Sequence, residues 1–151
     1  MLSSSSTMLS RKPYRLAIGG GLVFWATTIA ISLLPIAAEY RAAFSKHSWN
    51  AQTVWLASLL VGMLIGWCVS YSLLRFFDRL PSRNPILKSA LLGFIALVIA
   101  ILLIDVPQSF FLLAPGDALH YFLIGTMLNA PRFLLLGIVI GYLYKRLYGA
   151  A

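Results

Sequence analysis

The sequence predicts an all-α integral membrane protein: a four-transmembrane-helix bundle with both termini cytoplasmic. Three observations predict it. Hydrophobic residues make up 60% of the 151-residue chain and charged residues 11%, with a mean hydropathy of +0.87; ordinary soluble domains are about 25% charged. Four long apolar runs leave almost no chain for a soluble domain. The basic residues also concentrate beside alternate ends of those runs, where orientation signals sit.

Residues 1–13 are expected to be a disordered tail, since MLSSSSTMLS is Ser-rich. With Arg11, Lys12 and Arg15 the tail shares the basic, acid-free composition of organellar transit segments, and Met8 is an alternative start. Residues 14–148 read as one membrane domain with approximate spans 16–38, 51–74, 86–106 and 119–146.

The first span, Leu16 to Ala38, holds 23 uncharged residues between Arg15 and Glu39, about 34 Å as a helix. A signal peptide cleaved near Ala38 is the alternative, but signal cores run to about 7–15 apolar residues, so an uncleaved anchor is expected. Gly19-Gly20-Gly21 lacks the GK[ST] and the preceding strand of a phosphate loop; at a membrane entrance it permits close contact with a neighbouring helix. A loop is expected over Glu39 to Asn50. The second span, Ala51 to Leu74, carries Ser58, Gly62, Gly66 and Ser70 at four-residue spacing, a small-residue face for helix packing.

Pro81, Asn84 and Pro85 mark the next turn. The third span is strongly apolar from Ser89 to Ile104, but Asp105 arrives about 25 Å along a helix axis from Lys88. Either the helix continues past Asp105 with a kink at Pro107, or it stops there and Phe110 to Ala114 lie at the interface. Pro115-Gly116-Asp117 reads as a turn. The last span has only twelve uncharged residues between Arg132 and Lys145, and a membrane helix needs about 20. It therefore has to reach back through Arg132, Pro131 and Asn129, unless Asn129 and Pro131 begin a new helix. Gly137 and Gly141 supply a second packing face, and Tyr142, Tyr144 and Tyr148 form an aromatic belt beside Lys145 and Arg146.

Four spans put both termini on one side, with Arg11, Lys12, Arg15, Arg75, Arg79, Arg83, Lys88, Lys145 and Arg146, nine of the twelve basic residues. The other side has Arg41 and Lys46, and three of the four acids, Glu39, Asp105 and Asp117. The positive-inside rule places the termini in the cytoplasm of a bacterial inner membrane, or in the matrix or stroma for an organellar inner membrane. The net charge of +8 forms no contiguous basic patch, which argues against a nucleic-acid partner. The partners expected are the lipid bilayer and other membrane helices, of a second copy or a larger complex.

Arg132 is the residue most in need of a partner. It lies about 20 Å from the inner interface and 10 Å from the outer one, Asp105 is at a similar depth, and a charge at such depth is costly. Arg132 either pairs with Asp105, Glu39 or Asp117 or snorkels outward. A polar pocket open to the outer face is expected around Arg132 and Asp105, joined by Asn129, Gln108, Glu39 and His120. His47 and His120 fall near that face too, but their spacing matches no metal motif, and the single Cys68 admits no disulfide or CxxC site. No metal or cofactor is expected. Neither GxSxG nor HExxH is present, and no catalytic residue is assigned. The expected role is a non-catalytic subunit or an assembly or accessory factor of a membrane complex. The alternatives are a small oligomeric transporter or channel and, behind that, a membrane enzyme or haem carrier.

Overall fold

The computed structural model describes residues 3–44 and 50–148. Every regular element among them is helical: α1 (Ser3–Ser32), α2 (Pro35–Ala43), α3 (Ala51–Arg75), α4 (Pro85–Ala100), α5 (Val106–Leu112) and α6 (Pro115–Tyr148), with a 3-10 turn at Phe77–Arg79 and a π turn at Ile101–Asp105. Four stretches are long and apolar enough to cross a membrane: Pro13–Ser32, Gln52–Arg75, Pro85–Leu112 and Pro115–Tyr148.

Prolines and caps set the boundaries. α1 is a helix from Ser3 to Ser32 with Pro13 inside it. α1 ends at Ser32 rather than at Ala38. Proline has no N–H and its ring would strike the carbonyl four residues back, so Leu34 turns extended (φ −73°, ψ 143°) and Pro35 starts α2 in the first-turn position it favours. The expected loop from Glu39 thus opens within a nine-residue helix. Asn50 caps α3, its Oδ1 accepting from Thr53 N–H at 2.9 Å, and Asn84 caps α4, accepting from Ile86 N–H at 3.0 Å.

At Pro107 the third span continues. Val106 N–H reaches back five residues to the Ile101 carbonyl, and the widened turn accommodates a proline that an unbroken α-helix would not. The helix then runs to Leu112. Only Leu113 and Ala114 separate it from α6, where Pro115 opens the helix and Asp117 sits in its first turn. Pro115-Gly116-Asp117 therefore starts a helix instead of forming a free turn. α6 passes through Pro131 without a break, so Asn129 and Pro131 begin no new helix.

α1 pairs chiefly with α3 and α4 chiefly with α6; α1 packs on α6 to join the two pairs, and α3 touches α4. Both principal seams are made of small residues. A Cβ added at Gly66 would lie 2.9 Å from the Ala17 carbonyl oxygen, and one at Gly21 would lie 3.0 Å from Met63 Cα. On the other side a Cβ at Gly137 would lie 2.7 Å from the Ser89 carbonyl oxygen, and one at Gly141 2.6 Å from Ile86 Cα. Backbones at such separations tolerate no side chain between them. Between the seams, Leu16, Phe24, Val69, Leu73, Leu97, Phe133, Leu136 and Ile140 form the core, with Phe24 and Phe133 edge to face at 5.4 Å. The outer flanks of α3 and α4 are apolar and exposed, as at Leu60 (69%) and Leu87 (60%).

One end of the bundle carries the α3–α4 connection and the end of α6. There Lys88 is buried, donates to the Phe77 carbonyl and lies over the Phe77 ring, 3.6 Å from its centroid; that ring stacks on Tyr144 at 5.1 Å. The opposite end carries α2, which docks on α6 through Ala37 and Tyr40 against Ile124 and Leu128, with Phe44 against Tyr121.

Candidate functional site

The break in the third span and the proline in α6 come together toward the α2 end. Asp105, the last residue of the π turn, is 2% exposed. Both its carboxylate oxygens accept from Asn129 Nδ2, each at 3.0 Å, and Asn129 Oδ1 in turn accepts from Arg132 Nη1 at 3.2 Å. The expected direct pair of Arg132 with an acid is absent among the described residues; the amide of Asn129 stands between them. Asn129 is three residues before Arg132 on the same helix face, and its short side chain meets Asp105 across the seam.

Arg132 and Asn129 also line a cavity of about 450 Å³ between α1, α2, α3 and α6. α6 supplies Gly125, Leu128, Asn129 and Arg132 to its wall, and α1 supplies Thr28 and Ser32. α2 adds Tyr40 and Arg41, and α3 adds Val54, Trp55 and Ser58. Gly125 makes room for Tyr40: a Cβ there would lie 3.0 Å from the Tyr40 hydroxyl. Burial pushes that hydroxyl up to about 12, the Asp105 carboxylate adds to the rise and the Arg132 guanidinium opposes it. The Arg132 Nε is buried without an acceptor, as are the hydroxyls of Ser109 and Thr126.

The other expected site residues divide. Asp105 stands behind Asn129 and out of the cavity wall, and Gln108 is half-buried one turn further along without lining it. Glu39 and His120 are exposed and meet each other, His120 Nε2 to Glu39 Oε1 at 3.5 Å, with His120 against the Tyr121 ring. They form a surface pair and do not join the pocket, because α2 carries Glu39 on its outer face while Tyr40 turns inward. Asp117 is exposed in the first turn of α6. His47 lies outside the described residues, and among those described no cluster of three or more metal-ligating side chains occurs. Of the small-residue row on α3, Gly62, Gly66 and Ser70 are buried, while Ser58 opens on the cavity and donates to the Trp55 carbonyl at 2.8 Å.

Tyr40, Arg41 and Trp55 are site residues that sequence reasoning did not single out. The signal available was Pro35: a proline eight residues after Thr27 marks a helix start, and a helix from there puts Tyr40 and Ala37 on one face. The chain matches no protein-family model, and no curated protein or solved structure is significantly similar to it.

Proposed function

We propose that the chain is an integral membrane protein with four spans and a non-catalytic role, as a subunit or accessory factor of a membrane complex. The carrying observation is the state of its buried ionisable groups. Both oxygens of Asp105 are taken up by Asn129, and Asn129 holds Arg132. A carboxylate so occupied ties α6 to the broken third helix and is not poised as a base. In this reading both termini face the cytoplasm of a bacterial inner membrane, as the excess of basic residues on their side supports, and the glycine faces serve as internal packing seams. The exposed apolar flanks of α3 and α4 meet lipid or partner helices.

Purification in mild detergent followed by mass spectrometry tests the role. One or more membrane proteins should accompany the chain at a fixed ratio. The cavity walled by Arg132 favours one second reading, a small oligomeric transporter; isolation of the chain without partners, together with substrate-dependent flux in liposomes, would put that reading in place of the first.

A further inference from the structure

The cavity carries more positive charge than the protein neutralises. The Arg132 guanidinium spends Nη1 on Asn129, and its Nε is buried with no acceptor. Arg41, on the same wall, pairs with no carboxylate among the described residues. One acid, Asp105, is joined to the group, so two guanidinium groups stand against one carboxylate. The Tyr40 hydroxyl keeps its proton up to about 12 and is a donor here rather than a rival anion. Charge without an acceptor is costly at bilayer depth, and a guanidinium is matched best by an oxyanion. Elsewhere on the wall Thr28, Ser32 and Ser58 spend their hydroxyl protons on carbonyls of their own helices, and two apolar residues, Val54 (39% exposed) and Trp55 (38%), also lie on the outer flank of α3. The cavity is therefore continuous with the apolar surface, and its volume of about 450 Å³ is that of a small-ligand site.

We propose that this cavity binds a monoanionic amphiphile, its carboxylate or phosphodiester head held by Arg132 and Arg41 and its chain passing Trp55 onto the apolar flank of α3. The inference rests on the reading of the chain as a membrane protein and names the ligand class of its site. One net positive charge sets the head as a monoanion. Its oxygens meet terminal N–H groups of the two guanidiniums, the Arg132 Nε being closed off from the cavity, and the indole of Trp55 lies against the first carbons of the chain.

Tryptophan quenching tests it. The full chain in phosphatidylcholine nanodiscs is titrated with dibromostearate, its methyl ester and dibrominated phosphatidylglycerol. Saturable quenching by at least one of the two anions is expected, with Trp55→Phe removing the saturable component and the ester giving none. Arg132→Gln should weaken binding about tenfold or more, the scale of one charged hydrogen bond. Arg41→Gln, on the exposed side of a short helix, should weaken it in the same direction without disturbing the bundle. Tighter binding of dibromostearate assigns the head to a free fatty acid, and tighter binding of the phosphatidylglycerol assigns it to a phospholipid. Equal quenching by acid and ester, or anion binding unchanged by Arg41→Gln in a folded protein, overturns the proposal. A chain that co-purifies with partners yet shows no preference for anions loses this inference alone; anion binding by a chain without partners loses the proposed role alone.

Discussion

Gly137→Ala probes the α4–α6 seam with a single carbon. The new Cβ would lie 2.7 Å from the Ser89 carbonyl oxygen and 3.1 Å from Ala90 Cα. Carbon and carbonyl oxygen settle at about 3.3 Å or more, so the helices have to part by roughly half an ångström. Both obstructing atoms are backbone, and no rotamer relieves the clash. Separation also loosens the facing contact at Gly93, where a Cβ would meet the Phe133 carbonyl oxygen at 2.7 Å. Overpacking of this kind costs about 1–3 kcal/mol, and alanine's better helix propensity offsets about 1 kcal/mol of it. Gly116→Ala supplies the control, since nothing lies within 4 Å of a Cβ there. It should be neutral or slightly stabilising, leaving the two variants about 1–3 kcal/mol apart. The assay is unfolding by sodium dodecyl sulfate in mixed micelles, followed by tryptophan fluorescence. Gly137→Ala as stable as Gly116→Ala would refute the close seam.

The remaining predictions concern the polar group, the α2 helix and the topology. Asn129→Asp sets two carboxylates against each other and should cost about 2 kcal/mol or more; adding Asp105→Asn should recover most of it, because the exchanged pair keeps one amide-to-carboxylate link and puts the acid beside Arg132, and a double variant no better than the single one would remove the relay. Tyr40→Phe should remove a tyrosine that ionises near pH 12 in a spectrophotometric titration. The folded state holds that proton more tightly than the unfolded chain, whose tyrosines ionise near 10, so the associated stability is intact below about pH 10 and is lost as pH rises toward 12; identical titrations of the two proteins would contradict the burial of this hydroxyl. Reporter fusions after Tyr40 and Pro115 should read as external and those after Pro81 and Ala151 as cytoplasmic, and the opposite pattern at any of the four would break the topology.

The four long helices were legible because apolar length is a property of the local sequence, and each stretch carries it alone. The small-residue faces at Gly62 and Gly66 and at Gly137 and Gly141 were legible as spacing, but their partners were not. That Gly66 meets Ala17 and Gly137 meets Ser89 depends on how helices rotate against each other. α2 escaped notice because nine residues give too little periodicity, although Pro35 announced it. Pro107 marked a break without deciding between kink and stop; the π turn that resolves it depends on α5 having α6 to pack against, as Phe110 does with Phe122 at 5.8 Å. Depth along the helices brought Asp105, Asn129 and Arg132 into one group, since depth is counted along the chain. It could not show that Asn129 stands between the charges, which is a matter of side-chain reach across a seam, nor that Arg132 lines a cavity to which α2 and α3 contribute.

Thiol labelling at Ser58 tests most directly that this cavity opens at the outer face. Ser58 lines it, and the exposed Cys68 is first removed as Cys68→Ser. In intact cells a membrane-impermeant maleimide should modify the Ser58→Cys variant, and prior occupation of the cavity by dibromostearate should slow the reaction. A thiol at that position that stays unmodified until the membrane is permeabilised would contradict the account.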